Sequence, residues 1–127
     1  MLRPMTNAAS AFLRPGDRGY DDELAGFQLG FTQRPAVIVP ARSAADVVAA
    51  VRYAAAEGLP VGVHATGHGL PGGYEGGLLI TTRRLDGITV DAEVRTVRVQ
   101  AGVRWGQVVA AAEPYGLAPR MGAPPTL

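Results

Sequence analysis

Cysteine is absent from the 127 residues, which excludes disulfides, thiolate metal sites and thiol catalysis within the chain. Lysine is absent too. All 12 basic residues are Arg, so a P-loop lysine is unavailable. Charge of either sign is sparse, with a formal net charge of +1, and nothing marks a nucleic-acid footprint. No apolar run approaches the about 20 residues that span a bilayer. The N-terminus lacks the long apolar core of a secretory signal, so the expected compartment is the cytoplasm. What is abundant is apolar residues, at 47%, a globular composition on a chain of one domain's length.

Glycine is concentrated in Val61 to Gly77, VGVHATGHGLPGGYEGG. This stretch leaves a short apolar strand and returns to Leu78-Leu79-Ile80. Successive glycines let the backbone adopt positive φ and approach another molecule closely. They can also turn N–H groups inward as an anion-binding concavity. A loop of this length between regular elements points to function.

The flanking chain reads as a frame. Residues 1–18, broken by Pro4 and Pro15-Gly16, are expected to be loosely packed. Tyr20 to Leu29 predicts a short helix, with Asp21, Asp22 and Glu23 at its positive end and Leu24, Phe27 and Phe31 on its buried side. Ala36 to Val39 between two prolines predicts a buried strand. Ser43 with Asp46 three residues on opens a helix, Val47, Val51, Ala54 and Ala55 form its apolar stripe, and Gly58 followed by Leu59-Pro60 closes it. Val61 and Val63 begin the next strand, giving a βαβ unit with parallel strands. Leu78 to Thr81 predicts another strand. Ile88 and Val90 against Val97 and Val99 predict a hairpin that turns at Asp91-Ala92-Glu93. Arg104 to Glu113 predicts a helix whose stripe is Trp105, Val108, Val109 and Ala112, stopped by Pro114 and Gly116. The fold class is α+β. The apolar, Pro-rich ending from Pro119 to Leu127 predicts that a further element follows.

Several chemistries compete for the loop. The P-loop pattern is missing. A dinucleotide fingerprint fits poorly, because the glycines lead into a strand and not a helix. His64 and His68 have no evident third partner for a metal. A phosphate cradle of backbone amides around His68 remains, beside the plainer reading of His68 as a histidine bonded within a surface turn. For His64 the plain reading is a hydrogen-bonded, partly buried imidazole at a strand's exit. Trp105 reads as core, Tyr74 and Glu75 as solvated loop, and Arg83-Arg84 as a polar strand end.

The runs VGVHATGHG, GGLLITTRRLDGITVD and RTVRVQAGVRWGQVVAAAEPYGLAPRMG, in this order, resemble the N-terminal FAD-binding (PCMH-type) subdomain of the vanillyl-alcohol oxidase/p-cresol methylhydroxylase superfamily. The nearest branch in pattern is the berberine-bridge-enzyme-like bacterial oxidoreductases. The resemblance covers residues 13 to 127 and implies one incomplete subdomain over 19–127, with the rest of the FAD domain and the substrate domain lying outside the chain. It implies FAD as cofactor, wrapped at its pyrophosphate by Ala65, Thr66, Gly67, His68 and Gly69, with Gly102 and Gly122 also against it. It further implies that His68 can carry a covalent bond to the flavin 8α carbon. Where the family loop often reads Arg-Ser-Gly-Gly-His, this chain has His64-Ala65-Thr66-Gly67-His68. The implied reaction is hydride transfer from an alcohol, sugar or amine carbon to flavin N5, with electrons passed to oxygen or another acceptor. No nucleic acid, membrane or metal partner is implied. The alternatives are a small non-catalytic nucleotide- or phosphate-binding module and an inactive fragment.

Overall fold

The computed structural model describes residues 12–25, 33–66 and 74–120. In chain order the elements are α1 (Tyr20–Leu24), β1 (Gln33–Arg34), β2 (Val37–Pro40), α2 (Ala44–Glu57), β3 (Val61–His64), β4 (Tyr74–Glu75), β5 (Leu78–Thr81), β6 (Ile88–Asp91), β7 (Thr96–Val99) and α3 (Trp105–Ala112). A short 3₁₀ turn, Glu113–Tyr115, follows α3. They form two compact units, divided after Leu85. No described helix is long and apolar enough to cross a membrane.

The first unit is built on a parallel sheet ordered β2-β5-β3. The βαβ expectation holds, with β5 inserted between the two strands that α2 connects. A parallel strand inside such a sheet is covered on both sides, and Leu78 to Thr81 are all buried. Alternate side chains then serve two cores. Val37, Val39, Leu78 and Ile80 meet Ala50, Tyr53 and Ala54 of α2. Ile38 and Leu79 meet Tyr20, flanked by Leu13 and Leu24. Tyr20, buried to 1% exposure, satisfies its hydroxyl by donating to the Pro35 carbonyl at 2.6 Å.

Helix α2 begins as its sequence says. The Ser43 side chain accepts from the Asp46 N–H at 3.2 Å, and Gly58, at φ 66, ends the helix in the left-handed region. The expected stripe is corrected in phase. Val51 and Ala55 are exposed, and the sheet-facing residues are Ala50, Tyr53 and Ala54, with Val47 beside them. Tyr53, amphipathic and outside the expected stripe, is a core residue. It takes Phe12 edge-on, with ring centroids 5.1 Å apart. Leu13 exchanges backbone hydrogen bonds with Ile38 at 2.8 Å in both directions, so Phe12 and Leu13 are docked onto the first unit.

Helix α1 is shorter than expected, ending at Leu24, and Phe27 and Phe31 lie outside the described residues. The parallel pairing of β1 with β4 has no signal in sequence, since each strand is two residues long.

The second unit pairs β6 with β7 antiparallel, Ile88 opposite Val99 and Val90 opposite Val97. The Asp91 carboxylate accepts from the N–H groups of Glu93 and Val94, and Arg95 completes the turn at φ 58. Helix α3 starts where Gln107 reaches back to accept the Arg104 N–H at 2.8 Å. Val108 and Ala112 are buried, but Val109 is exposed and Trp105 is 37% exposed. Trp105 is therefore not core. It lines a groove of roughly 540 Å³ with Val90, Val97, Leu117, Arg95 and Arg120.

Candidate functional site

The three parallel strands of the first unit end in one row. Pro40 and His64 both stand opposite Thr81 in the register. The carboxyl edge of a parallel sheet is where open α/β folds place ligands, because loops leaving the strands diverge there. The Gly-rich segment leaves from this row. Ala65 and Thr66 bend away directly after His64 and are half-buried. Gly67, His68 and Gly69 lie outside the described residues, as does Gly122. Gly102 belongs to the second unit, in a turn closed by the Val103 N–H donating to the Gln100 carbonyl at 3.1 Å.

Beside the row sits a cluster absent from the sequence expectations. Glu23, read as a dipole partner at a helix start, is buried with its side chain 7% exposed. The Thr81 hydroxyl donates to one carboxylate oxygen at 2.7 Å, and Arg84 pairs with the other. Arg83 stands 3.6 Å from Oε2 and donates to the Glu23 and Asp22 carbonyls at 2.8 and 3.4 Å. That guanidinium thereby reaches the last turn of α1, sharing the Asp22 carbonyl with the Ala25 N–H at 3.3 Å. Arg83-Arg84 is not a plain polar strand end but a clasp on α1. A turn from Thr82 to Leu85, closed at 2.9 Å, aims both side chains back across β5. Burial pushes the Glu23 carboxyl up, but the hydrogen bonds from Arg84 and Thr81 and the charges of Arg84 and Arg83 outweigh it, and the net direction is down. The Arg84 guanidinium is held further up by the hydrogen bond to Glu23.

His64 is buried as expected, at 6% exposure, but the expectation that its hydrogen bonds are satisfied is corrected. Neither ring nitrogen has a hydrogen-bond partner among the described residues, and Arg83 Nε is likewise unpaired. Burial pushes the imidazole down in pKa. The nearby Glu23 carbonyl favours protonation, without reaching hydrogen-bond geometry to the ring, and Arg83 opposes it. The ring is therefore neutral near pH 7, with one donor and one acceptor nitrogen to place. Among the described residues no group of three or more His, Cys, Asp and Glu is placed to hold a metal.

Sequence reasoning missed the Glu23 cluster because its members are far apart, Thr81 being 58 residues and Arg84 61 residues from Glu23. The available local signal was three acids in a five-residue helix, and it points equally well to solvent.

The FAD binding domain family matches residues 35–126. Among curated relatives, (R)-6-hydroxynicotine oxidase of Paenarthrobacter nicotinovorans is 36% identical over 107 residues, which is 82% of this chain and 23% of that protein. The FAD-linked oxidoreductase hasG of Aspergillus fumigatus is 33% identical over 105 residues, 81% of this chain and 22% of that protein. Among solved structures, 6-hydroxy-D-nicotine oxidase from Arthrobacter nicotinovorans aligns at a TM-score of 0.76 and 31% identity, over 85% of this chain and 24% of that one. The carbohydrate oxidase of Microdochium nivale aligns at 0.77 over 91% of this chain and 26% of its own, and at 23% identity it speaks to the fold alone. The chain thus spans about a quarter of the length of these relatives.

Proposed function

This chain belongs to the FAD binding domain family, and from that we propose that it is the cofactor-binding part of a flavin-dependent oxidoreductase of oxidase type. The observation that carries the reading is the Gly-rich segment leaving the shared carboxyl edge of β2, β5 and β3. The residues present suit an anionic dinucleotide. A loop of backbone amides can hold a diphosphate without lysine, and an imidazole with two unpaired ring nitrogens stands immediately before it.

In this reading Ala65, Thr66, Gly67, His68 and Gly69 hold the diphosphate. Gly102 and Gly122 let the backbone approach the cofactor, and His68 carries the covalent link to the flavin. Bound FAD supplies the two-electron redox chemistry that these side chains lack. The protein binds it, orients it and tunes its surroundings. The substrate class is a small alcohol, sugar or amine and the acceptor is oxygen, with the work done in the cytoplasm. The substrate-facing residues belong to polypeptide outside this chain, so the 127 residues alone turn over little or no substrate.

The test is the intact mass and absorbance spectrum of the protein isolated from its source under native and then denaturing conditions. Flavin that survives denaturation and maps to the His68 peptide is the expected result. Flavin released intact by denaturation would refute the covalent link and keep the cofactor. Protein isolated free of flavin, and failing to take up added FAD, would overturn the reading as a whole.

A further inference from the structure

We propose that the buried His64 ring is a pH-sensitive latch beneath α1: α1 stays on the sheet edge while the ring is neutral and lifts from it when the ring takes up a proton. The latch lies wholly within the first unit and involves no bound cofactor.

The register puts the ring beneath the helix. His64 stands opposite Thr81 in the parallel pairing, and partners across such a ladder project to the same face of the sheet. On that face the Thr81 hydroxyl meets the Glu23 carboxylate, and Leu79 meets Tyr20 at the start of α1. Both ring nitrogens are buried and unpaired among the described residues. The Glu23 carbonyl that acts on the ring is the one to which Arg83 donates at 2.8 Å. Imidazole and guanidinium thus gather around one carbonyl of α1.

The charges already there do not welcome another cation. Those acting on the ring are Glu23 from α1 and Arg83 from the turn after β5. The Glu23 oxygens are engaged by Thr81 and by Arg84, which adds a second guanidinium. Thr81, contributed by β5, is uncharged, and Asp21 and Asp22 of α1 are exposed. An imidazolium would be a third positive charge against one carboxylate. Burial is the largest effect disfavouring the charged ring, and lifting α1 removes it by letting water in. With α1 lifted, the ring has the ordinary value of about 6.5; with α1 closed, a lower one. Closure is therefore favoured in full above about 6.5 and less as pH falls through that value toward the lower one. Glu23 does not share this window, since its carboxylate is held below its ordinary value of about 4.3.

The experiment is backbone hydrogen exchange on the full chain without FAD, from about pH 7.5 to about pH 5. Rates are expressed as protection factors, which cancels the intrinsic pH dependence of exchange. The Glu23 and Ala25 amides, bonded to the Gly19 and Asp21 carbonyls, report α1. Their protection is expected to fall by up to about tenfold per pH unit below about 6.5, one proton being taken up per opening. It should stay level in His64→Gln, which does not titrate. It should fall as in wild type in His68→Gln, which replaces the only other histidine. Level protection in wild type, a fall that persists in His64→Gln, or one that disappears in His68→Gln would overturn the proposal. So would α1 protection equal to that of α2 at every pH, which would mean that the ring is freed only when the whole unit unfolds. Should His64→Gln fail to fold, the His64 ring resonances in wild type decide the matter. A titration midpoint at or above about 6.5 refutes the latch.

Discussion

Glu23→Gln is the perturbation that most directly probes how α1 is fastened to the sheet edge. The side chain keeps its shape and can still accept from Thr81, but the charge that pairs with Arg84 and faces Arg83 is gone. Breaking a fully buried ion pair from one side costs about 3–5 kcal/mol, while an exposed pair contributes about 0–1 kcal/mol. This case lies between them. Glu23 is buried, but the side chains of Arg83 and Arg84 are 36% and 40% exposed and recover hydration when released. The expected loss is about 1–3 kcal/mol at neutral pH. The pH dependence follows from the direction of the carboxyl's displacement. Folding holds Glu23 below its ordinary range, so the unfolded chain binds its proton more readily. The stabilisation is therefore complete above the unfolded value of about 4.3 and is lost as pH falls through the lower folded value. Urea unfolding of wild type and Glu23→Gln from about pH 7 down to about pH 2.5 should show a gap that is wide at the top, starts to narrow near the unfolded value of about 4.3 and goes on closing as pH falls through the lower folded value. Equal stability at pH 7, or a gap that ignores pH, would show that the clasp is held by shape and not by charge.

Two other perturbations test the frame. Leu78→Ala removes a fully buried side chain shared by β5 and the α2 core, and should cost about 2–5 kcal/mol by denaturant unfolding; a cost below about 1 kcal/mol would mean the core collapses to fill the space. Gly58→Ala meets no neighbouring atom within 4 Å, so any loss comes from the backbone at φ +66 and should be about 1 kcal/mol. A shift in melting temperature that vanishes for Gly58→Asn, which tolerates this region better, would tie it to the dihedral.

Legibility divides according to how far apart in sequence the partners lie. The α2 boundaries were readable because both caps are local, Ser43 acting three residues ahead on Asp46 and Gly58 needing only its own dihedral. The β2 and β5 strands were readable because a strand buried on both faces becomes an uninterrupted apolar run. The phase of α2 is obscured for a different reason. Tyr53 carries a hydroxyl and does not read as part of an apolar stripe, whereas the T-shaped contact with Phe12 and the sheet beneath make it a core residue. Trp105 erred the other way, its size suggesting core where the fold leaves it on a groove.

The candidate site shows the same division more sharply. Its Gly-rich segment is legible because the glycines crowd into seventeen consecutive residues, Val61 to Gly77. Its support is not. Glu23, His64, Thr81, Arg83 and Arg84 come from three places in the chain, and each looks ordinary in its own window. Only the parallel register, which sets His64 opposite Thr81, brings them to one edge. The clasp on α1 holds one side of that edge through charge. The buried imidazole of His64 stands within the same cluster, beside Glu23 and Arg83, and not at a separate place along the edge.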